Sequence, residues 1–317
     1  MQKKKSLGQH FLTEPGAARR IADALQPLSP GNRCLEIGPG EGALTRHLLA
    51  RGDLELHVCE LDDRFAARLP VLFPLLQNRV LHEDFLALNE AALPAAPFVL
   101  VGNFPYNISS QIIFRMLDWR TRIPLMVGMF QREVALRLCA GPGSKAYGVI
   151  SVLAGAWYRA EYLFELPPSA FSPPPKVHSA VIRLHRRERD PLPDEALFRR
   201  LVKAAFQQRR KKLRNALQEF YAEEQLALPL FDRRAEDLSG AVYEAMAAAW
   251  PALPKELAAG FSGFEGSPRP AAQPGDSAPE APAADRSTAG LPASRLRPQG
   301  GNRKKASGFR PEDNEAF

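Results

Sequence analysis

Cysteine is scarce in this 317-residue chain, and the three present, Cys34, Cys59 and Cys139, form no Cys-x-x-Cys pair. That excludes a disulfide framework and points to a reducing compartment, with the thiols serving as small core residues. The six histidines are scattered without metal-ligand spacing, so no bound metal is expected. No uninterrupted apolar run is long enough to span a bilayer, and Lys3-Lys4-Lys5 is not followed by the apolar segment of a secretory signal. No internal repeat is visible. These absences predict a cytoplasmic protein that spans no membrane.

Charge, by contrast, is plentiful in both signs: 42 Lys+Arg against 35 Asp+Glu, a net +7. An excess of that sign suits an anionic partner, provided the cations gather on a folded surface. The length allows two ordered domains.

The most informative stretch is Asn103-Phe104-Pro105-Tyr106-Asn107-Ile108-Ser109. It follows an apolar run, Phe98 to Gly102, that reads as a buried strand, and precedes a helix from Ser109 to Leu117 with Ser109 as its N-cap. The turn therefore lies at the carboxyl end of a parallel strand, where open α/β sheets bind ligands. Pro105 fixes its own φ and drives Phe104 out of the helical region, which stiffens the turn. An exocyclic adenine amine is a poor nucleophile, because its lone pair is delocalised into the ring. A site that methylates it must accept from both N–H groups and hold the lone pair toward the donor. The Asn103 side-chain oxygen and the Phe104 carbonyl supply two acceptors, and Tyr106 supplies a stacking face. A plain strand-to-helix turn would use the same residue types, so the rest of the chain must decide.

Upstream, Arg33 to Ile37 reads as a first buried strand. It runs into Gly38-Pro39-Gly40-Glu41-Gly42 and a helix from Ala43 to about Ala50. A second strand, Leu54 to Cys59, ends in Glu60-Leu61-Asp62, about twenty residues beyond the turn, where an acid accepts ribose hydroxyls. Glu60 alone does not separate a nicotinamide from S-adenosylmethionine, since both carry adenosine. Glu36, Pro39 and Glu41 make a poor pyrophosphate lining but a tolerable one for a sulfonium and an ammonium. A third strand, Arg79 to His82, brings Asp84 to the next carboxyl end, in reach of an adenine amine. An N-terminal helix from Pro15 to Leu25 presents Ala17, Ala18, Ile21 and Leu25 on one face.

Downstream, Pro124 to Phe130 predicts a further buried strand, Gln131 to Leu138 a helix, and Val149 to Tyr158 and Ser179 to His185 two more strands, the first of which also admits a helical start. The loop from Gly141 to Gly148 is placed to border a target base. Pro167 to Val177 is rich in proline and extended, and composition leaves two readings even: a loop holding Phe171 to pack on a flipped base and Lys176 to meet phosphate, or a linker whose Phe171 anchors in the core. After Asp190 the pattern is helical, and it contains Arg209-Arg210-Lys211-Lys212-Leu213-Arg214, a candidate phosphate-binding face. The chain divides into residues 1–187, residues 188–260 and a disordered basic Pro/Gly/Ala-rich tail at 261–317.

With these stretches assembled, the chain resembles the small-subunit ribosomal RNA adenine N6,N6-dimethyltransferases from about Lys5 to about Ala247. The likeness rests on Gln9-His10-Phe11-Leu12, Glu36 to Thr45, Glu60-Leu61-Asp62, Glu83-Asp84-Phe85 and Asn103 to Ser109. It continues through Gln131-Arg132-Glu133-Val134, Ser169 to Val177 and Gln208-Arg209-Arg210-Lys211. The resemblance implies a Rossmann-like α/β methyltransferase domain with a seven-stranded sheet, followed by a small helical RNA-binding domain. It implies S-adenosylmethionine held by His10, Leu12, Gly38, Glu60, Asp84 and Asn103. Asn103, Pro105, Tyr106 and Phe171 are then expected at the reacting adenine. The substrate it implies is a pair of adjacent adenosines in a hairpin near the 3′ end of small-subunit (16S) ribosomal RNA, in the assembling subunit, with the enzyme a monomer. His10 and Phe104 depart from the Asn and Leu more usual there. Rival readings are a large-subunit adenine dimethyltransferase of the macrolide-resistance type and a noncatalytic ribosome-assembly factor on the same scaffold. Intact Glu60, Asp84, Asn103 and Tyr106 argue against the second.

Overall fold

A two-residue strand, β1 (Phe11–Leu12), opens the computed structural model, which describes residues 10–25 and 32–253. The Lys3-Lys4-Lys5 arm and the tail expected at 261–317 lie outside the described residues. Then follow α1 (Pro15–Asp23), β2 (Asn32–Ile37), α2 (Thr45–Leu49), β3 (Leu54–Cys59), α3 (Asp63–Leu72) and β4 (Val80–Leu81). The middle of the chain forms β5 (Phe98–Asn103), α4 (Ser109–Asp118), β6 (Leu125–Gln131), α5 (Arg132–Cys139) and α6 (Val149–Trp157). Three strands, β7 (Tyr158–Leu166), β8 (Phe171–Ser172) and β9 (Ser179–Arg186), precede α7 (Glu195–Gln207), α8 (Leu213–Ala216), α9 (Glu223–Leu226) and α10 (Gly240–Ala249).

Seven strands form one sheet in the order β4-β3-β2-β5-β6-β9-β7, parallel from β4 to β6, with β9 antiparallel to both its neighbours. The order reverses between β2 and β5, and that switch point opens a crevice at the carboxyl ends of the strands. β5 and β6 are buried on both faces, which is why they read as unbroken apolar runs. Successive residues point to opposite faces: Phe98 and Leu100 join the apolar cluster of α4, α6, α7 and α10, while Val99 and Val101 join that of α1 and α2. The helices after Arg186 thus share one core with a face of the sheet. The segment joining them to β9, residues 187–191, is exposed.

Three local expectations are corrected. Residues Val149–Trp157 form a helix, and the strand begins only at Tyr158. This helix is buried nearly all round, so its sequence has no polar face to betray a helical period. Ser109 is the first helical residue of α4, with Ile108 at the cap position. The Pro105 carbonyl accepts from the Ile108 amide at 3.2 Å, which lengthens the turn, and the Ser109 hydroxyl instead donates to the Tyr106 carbonyl at 3.1 Å. The basic run from Arg209 to Lys212 forms the turn between α7 and α8 and is not itself helical.

Close packing fixes the Asn103 turn to the sheet. Gly102 and Gly128 are register partners on β5 and β6. A Cβ on Gly128 would lie 2.1 Å from the Phe104 ring, and one on Gly102 would lie 2.8 Å from it. The two glycines leave the space that Phe104 fills, and its ring, 1 % exposed, lies 5.1 Å from that of Phe130.

Candidate active site

The crevice is floored by the turn that ends β2. Gly38 and Gly40 have φ of +66° and +54°, a left-handed geometry that a side chain resists. A Cβ on Gly40 would also come within 2.9 Å of the Phe11 ring, so the backbone here must stay bare. Glu60 follows β3 and is buried, with both carboxylate oxygens anchored by backbone amides. Oε2 accepts from the Gly40 amide at 3.0 Å and Oε1 from the Asp62 amide at 2.8 Å. A carboxylate oxygen has two lone pairs, so this arrangement fixes Glu60 while leaving acceptor capacity toward the crevice. Burial raises its pKa, the amides of Asp62, Gly40 and Leu61 oppose that rise, and the Asp62 charge adds to it.

A second buried carboxyl lies alongside. Glu36, 1 % exposed, accepts from the Thr45 hydroxyl at 2.7 Å. Burial pushes its pKa up to about 8, the Thr45 bond opposes the shift, and the Glu60 charge adds to it. Asp84 is exposed on the loop after β4. Its Oδ1 accepts from the Leu86 amide at 2.9 Å, and its other oxygen has no partner among the described residues.

Opposite the glycine turn, β5 ends in Asn103. Its Nδ2 donates to the His10 carbonyl at 2.9 Å, which turns Oδ1 the other way, with no partner among the described residues. The ring of Pro105 lies over Gly38, 3.9 Å from where a Cβ would sit. The hydroxyls of Tyr106 and Ser179 share a short hydrogen bond, and the Tyr106 ring lies 5.4 Å from that of His10 at 29°. Burial raises the Tyr106 pKa, with the Ser179 bond opposing. His10 Nδ1 donates to the Pro173 carbonyl at 2.8 Å, since a carbonyl can only accept. Beside it β1 pairs with β8, Phe11 opposite Ser172 and Leu12 opposite Phe171.

One cavity wall thus carries His10, Leu12, Gly38, Glu60, Asp84, Asn103, Pro105 and Tyr106 together. Phe171 is not on it. Its ring is 3 % exposed, packed into the α1 face of the core behind β1. The loop expected to border the base is also set apart from the wall. Gly143 N–H donates to the Glu236 carbonyl at 2.7 Å, and Arg209 holds the Lys145 carbonyl at 2.6 Å. Arg209 is spent further on Glu236 at 2.6 Å, while Lys212 and Arg214 meet Asp232 at 2.7 and 2.5 Å. Arg210 and Lys211 are exposed and make no ion pair among the described residues. The reading from sequence missed Ser179, which carries no motif and reaches Tyr106 across 73 residues of chain.

These residues fit S-adenosylmethionine. A bare glycine turn admits close approach, an anchored carboxylate suits a ribose diol, and Asp84 offers an acceptor for an adenine amine. Among the described residues no helix is long and apolar enough to cross a membrane.

The family model for ribosomal RNA adenine dimethylase matches residues 1–248. The chain is 50 % identical over 239 residues to ribosomal RNA small subunit methyltransferase A of Parabacteroides distasonis, covering 74 % of this chain and 89 % of that one. It is 48 % identical over 238 residues to the protein of the same name from Cytophaga hutchinsonii, covering 74 % and 92 %. Among solved structures it is similar to a dimethyladenosine transferase from Plasmodium falciparum, with TM-score 0.64, 22 % identity and coverage of 76 % and 96 %, a likeness of fold. The 23S rRNA methyltransferase ErmE aligns with TM-score 0.58 at 26 % identity, covering 75 % and 97 %.

Proposed function

This chain belongs to the ribosomal RNA adenine dimethylase family, whose methyl donor is S-adenosylmethionine, and from that premise we propose that it dimethylates N6 of two adjacent adenosines in a hairpin near the 3′ end of small-subunit ribosomal RNA. It acts as a cytoplasmic monomer on the assembling small subunit. The similarity of about half the aligned residues to relatives named for the small subunit supports this target over the large-subunit one.

The observation that carries the reading is the orientation of Asn103. With Nδ2 held by the His10 carbonyl, Oδ1 is left to accept from the target amine. The Phe104 carbonyl accepts the second N–H, so the lone pair is directed at the methyl group carried by the bound sulfonium. Pro105 stiffens the turn, and Tyr106 offers a face to an adenine that has left its stack. Leu12 and His10 close the near side, while Gly38, Glu60 and Asp84 bind the adenosine of the donor. Phe171 supports the proline-rich loop from behind. The amine becomes acidic as it is methylated, so water takes the proton and no side-chain base is needed. Arg210 and Lys211 meet RNA phosphate.

Mapping of methylated adenosines in small-subunit RNA from cells lacking this protein tests the proposal. The adjacent pair should be unmethylated and should regain both marks on incubation of those subunits with the protein and S-adenosylmethionine. An unchanged pair would overturn the target.

A further inference from the structure

Tyr106 is gripped at two points, neither of which belongs to the Asn103 turn. Its hydroxyl bonds to that of Ser179, the first residue of β9, which is 0 % exposed and opposite Gln131 on β6. One flank of its ring meets the imidazole of His10. His10 is itself fixed by Nδ1 on the Pro173 carbonyl and by its own carbonyl on Asn103. An aromatic ring fastened at its tip and along one flank can neither swing nor turn over.

We propose that Ser179 and His10 are positioning residues that clamp Tyr106 so that a single face is presented to the target adenine. This deepens the proposed function and rests on it. A side chain on a bare turn would sample several rotamers and lose entropy each time a base stacked on it. A ring fixed beforehand receives the base without that loss. The clamp also ties the platform to β9, and so to the sheet that carries Asn103. Acceptor and stacking face therefore keep one spacing.

The test is single-turnover methylation of small subunits from cells lacking the protein, with S-adenosylmethionine saturating and its affinity measured for every variant. Ser179→Ala should slow methyl transfer about three- to tenfold, the effect of one lost hydrogen bond, with cofactor affinity unchanged. Tyr106→Phe breaks the same bond from its other end without touching the buried serine, and should slow transfer equally. The double variant should be no slower than either single one. His10→Phe, which keeps a ring on the flank, should retain more activity than His10→Ala once cofactor is saturating. Wild-type rates in both Ser179→Ala and Tyr106→Phe would overturn the clamp. So would an undiminished effect of Ser179→Ala in the Tyr106→Phe background, which would mark a general packing role. Failure of the wild-type protein to methylate these subunits would instead overturn the proposed target.

Discussion

The side-chain amide of Asn103 donates to the backbone carbonyl of His10 at 2.9 Å, across 93 residues of chain. The bond settles which end of the amide faces the crevice. The Asn103 side-chain oxygen is left without a partner among the described residues, and on the proposed function it accepts from the target amine.

Asn103→Ala should therefore depress methyl transfer far more than RNA binding. Loss of one well-placed acceptor at the reacting centre is expected to cost on the order of a hundredfold or more in single-turnover rate, with cofactor saturating. A wild-type rate would reduce the turn to a scaffold.

Glu60→Gln tests the ribose assignment with little change of volume. Glu60 accepts from the amides of Gly40 and Asp62 through different oxygens. A glutamine has one oxygen and an NH2 group that would face one of those amides, and it offers one acceptor fewer to a ribose. Cofactor affinity by calorimetry should fall roughly tenfold or more, with the protein still folded. Unchanged affinity would remove Glu60 from the cofactor site.

The buried Glu36 makes a prediction about pH. Its carboxyl is raised from an ordinary 4.5 to about 8, chiefly by burial. Between those values the folded protein keeps the proton and the unfolded chain has released it, so stability falls as pH rises. The contribution is full below about pH 4.5 and lost by about pH 8. Its slope approaches about 1.4 kcal/mol per pH unit. Urea unfolding of the cofactor-free protein across this window should show the decline, and Glu36→Gln should flatten it. Equal slopes would mean that the carboxyl ionises normally.

The basic turn after α7 should divide by function. Arg209→Ala removes the tie to Glu236 and the Lys145 carbonyl, and should lower thermal stability. Replacing Arg210 and Lys211 with Ala should leave stability near wild type. It should also reduce the salt slope of RNA binding by roughly 0.7–0.9 per charge removed. An unaltered slope would place those cations on an idle surface.

Legibility from sequence followed the range of the forces involved. β3 reads from Leu54 to Cys59 in both sequence and structure, because Leu54, Leu56 and Val58 alternate with the polar Glu55 and His57, a period of two that is local to the strand. The glycine turn and Asp84 are local as well, and they lie on the crevice wall. What escaped notice depends on partners far along the chain. The pairing of Phe11 with Ser172 buries Phe171, and the composition of the proline-rich segment alone leaves a base-packing and a core-anchoring Phe171 equally open. The Ser179 contact and the neutralising partners of Arg209, Lys212 and Arg214 are likewise long-range. α6 is legible only as an alternative to a strand, for another reason: burial on nearly every side erases the polar stripe that marks a helix.

The Phe104 ring lying across Gly102 and Gly128 has an evolutionary consequence. Three positions on two strands and a turn share one volume, so they cannot drift independently. A leucine at position 104 would leave room for an alanine at 128, whereas with Phe104 in place Gly128→Ala overfills the core at a cost of about 1–3 kcal/mol. Lineages should change these sites as correlated sets, and sequence divergence next to the reacting turn should proceed in paired steps. Gly128→Ala made together with Phe104→Leu should be more stable than Gly128→Ala alone, which would reproduce one such step in the laboratory.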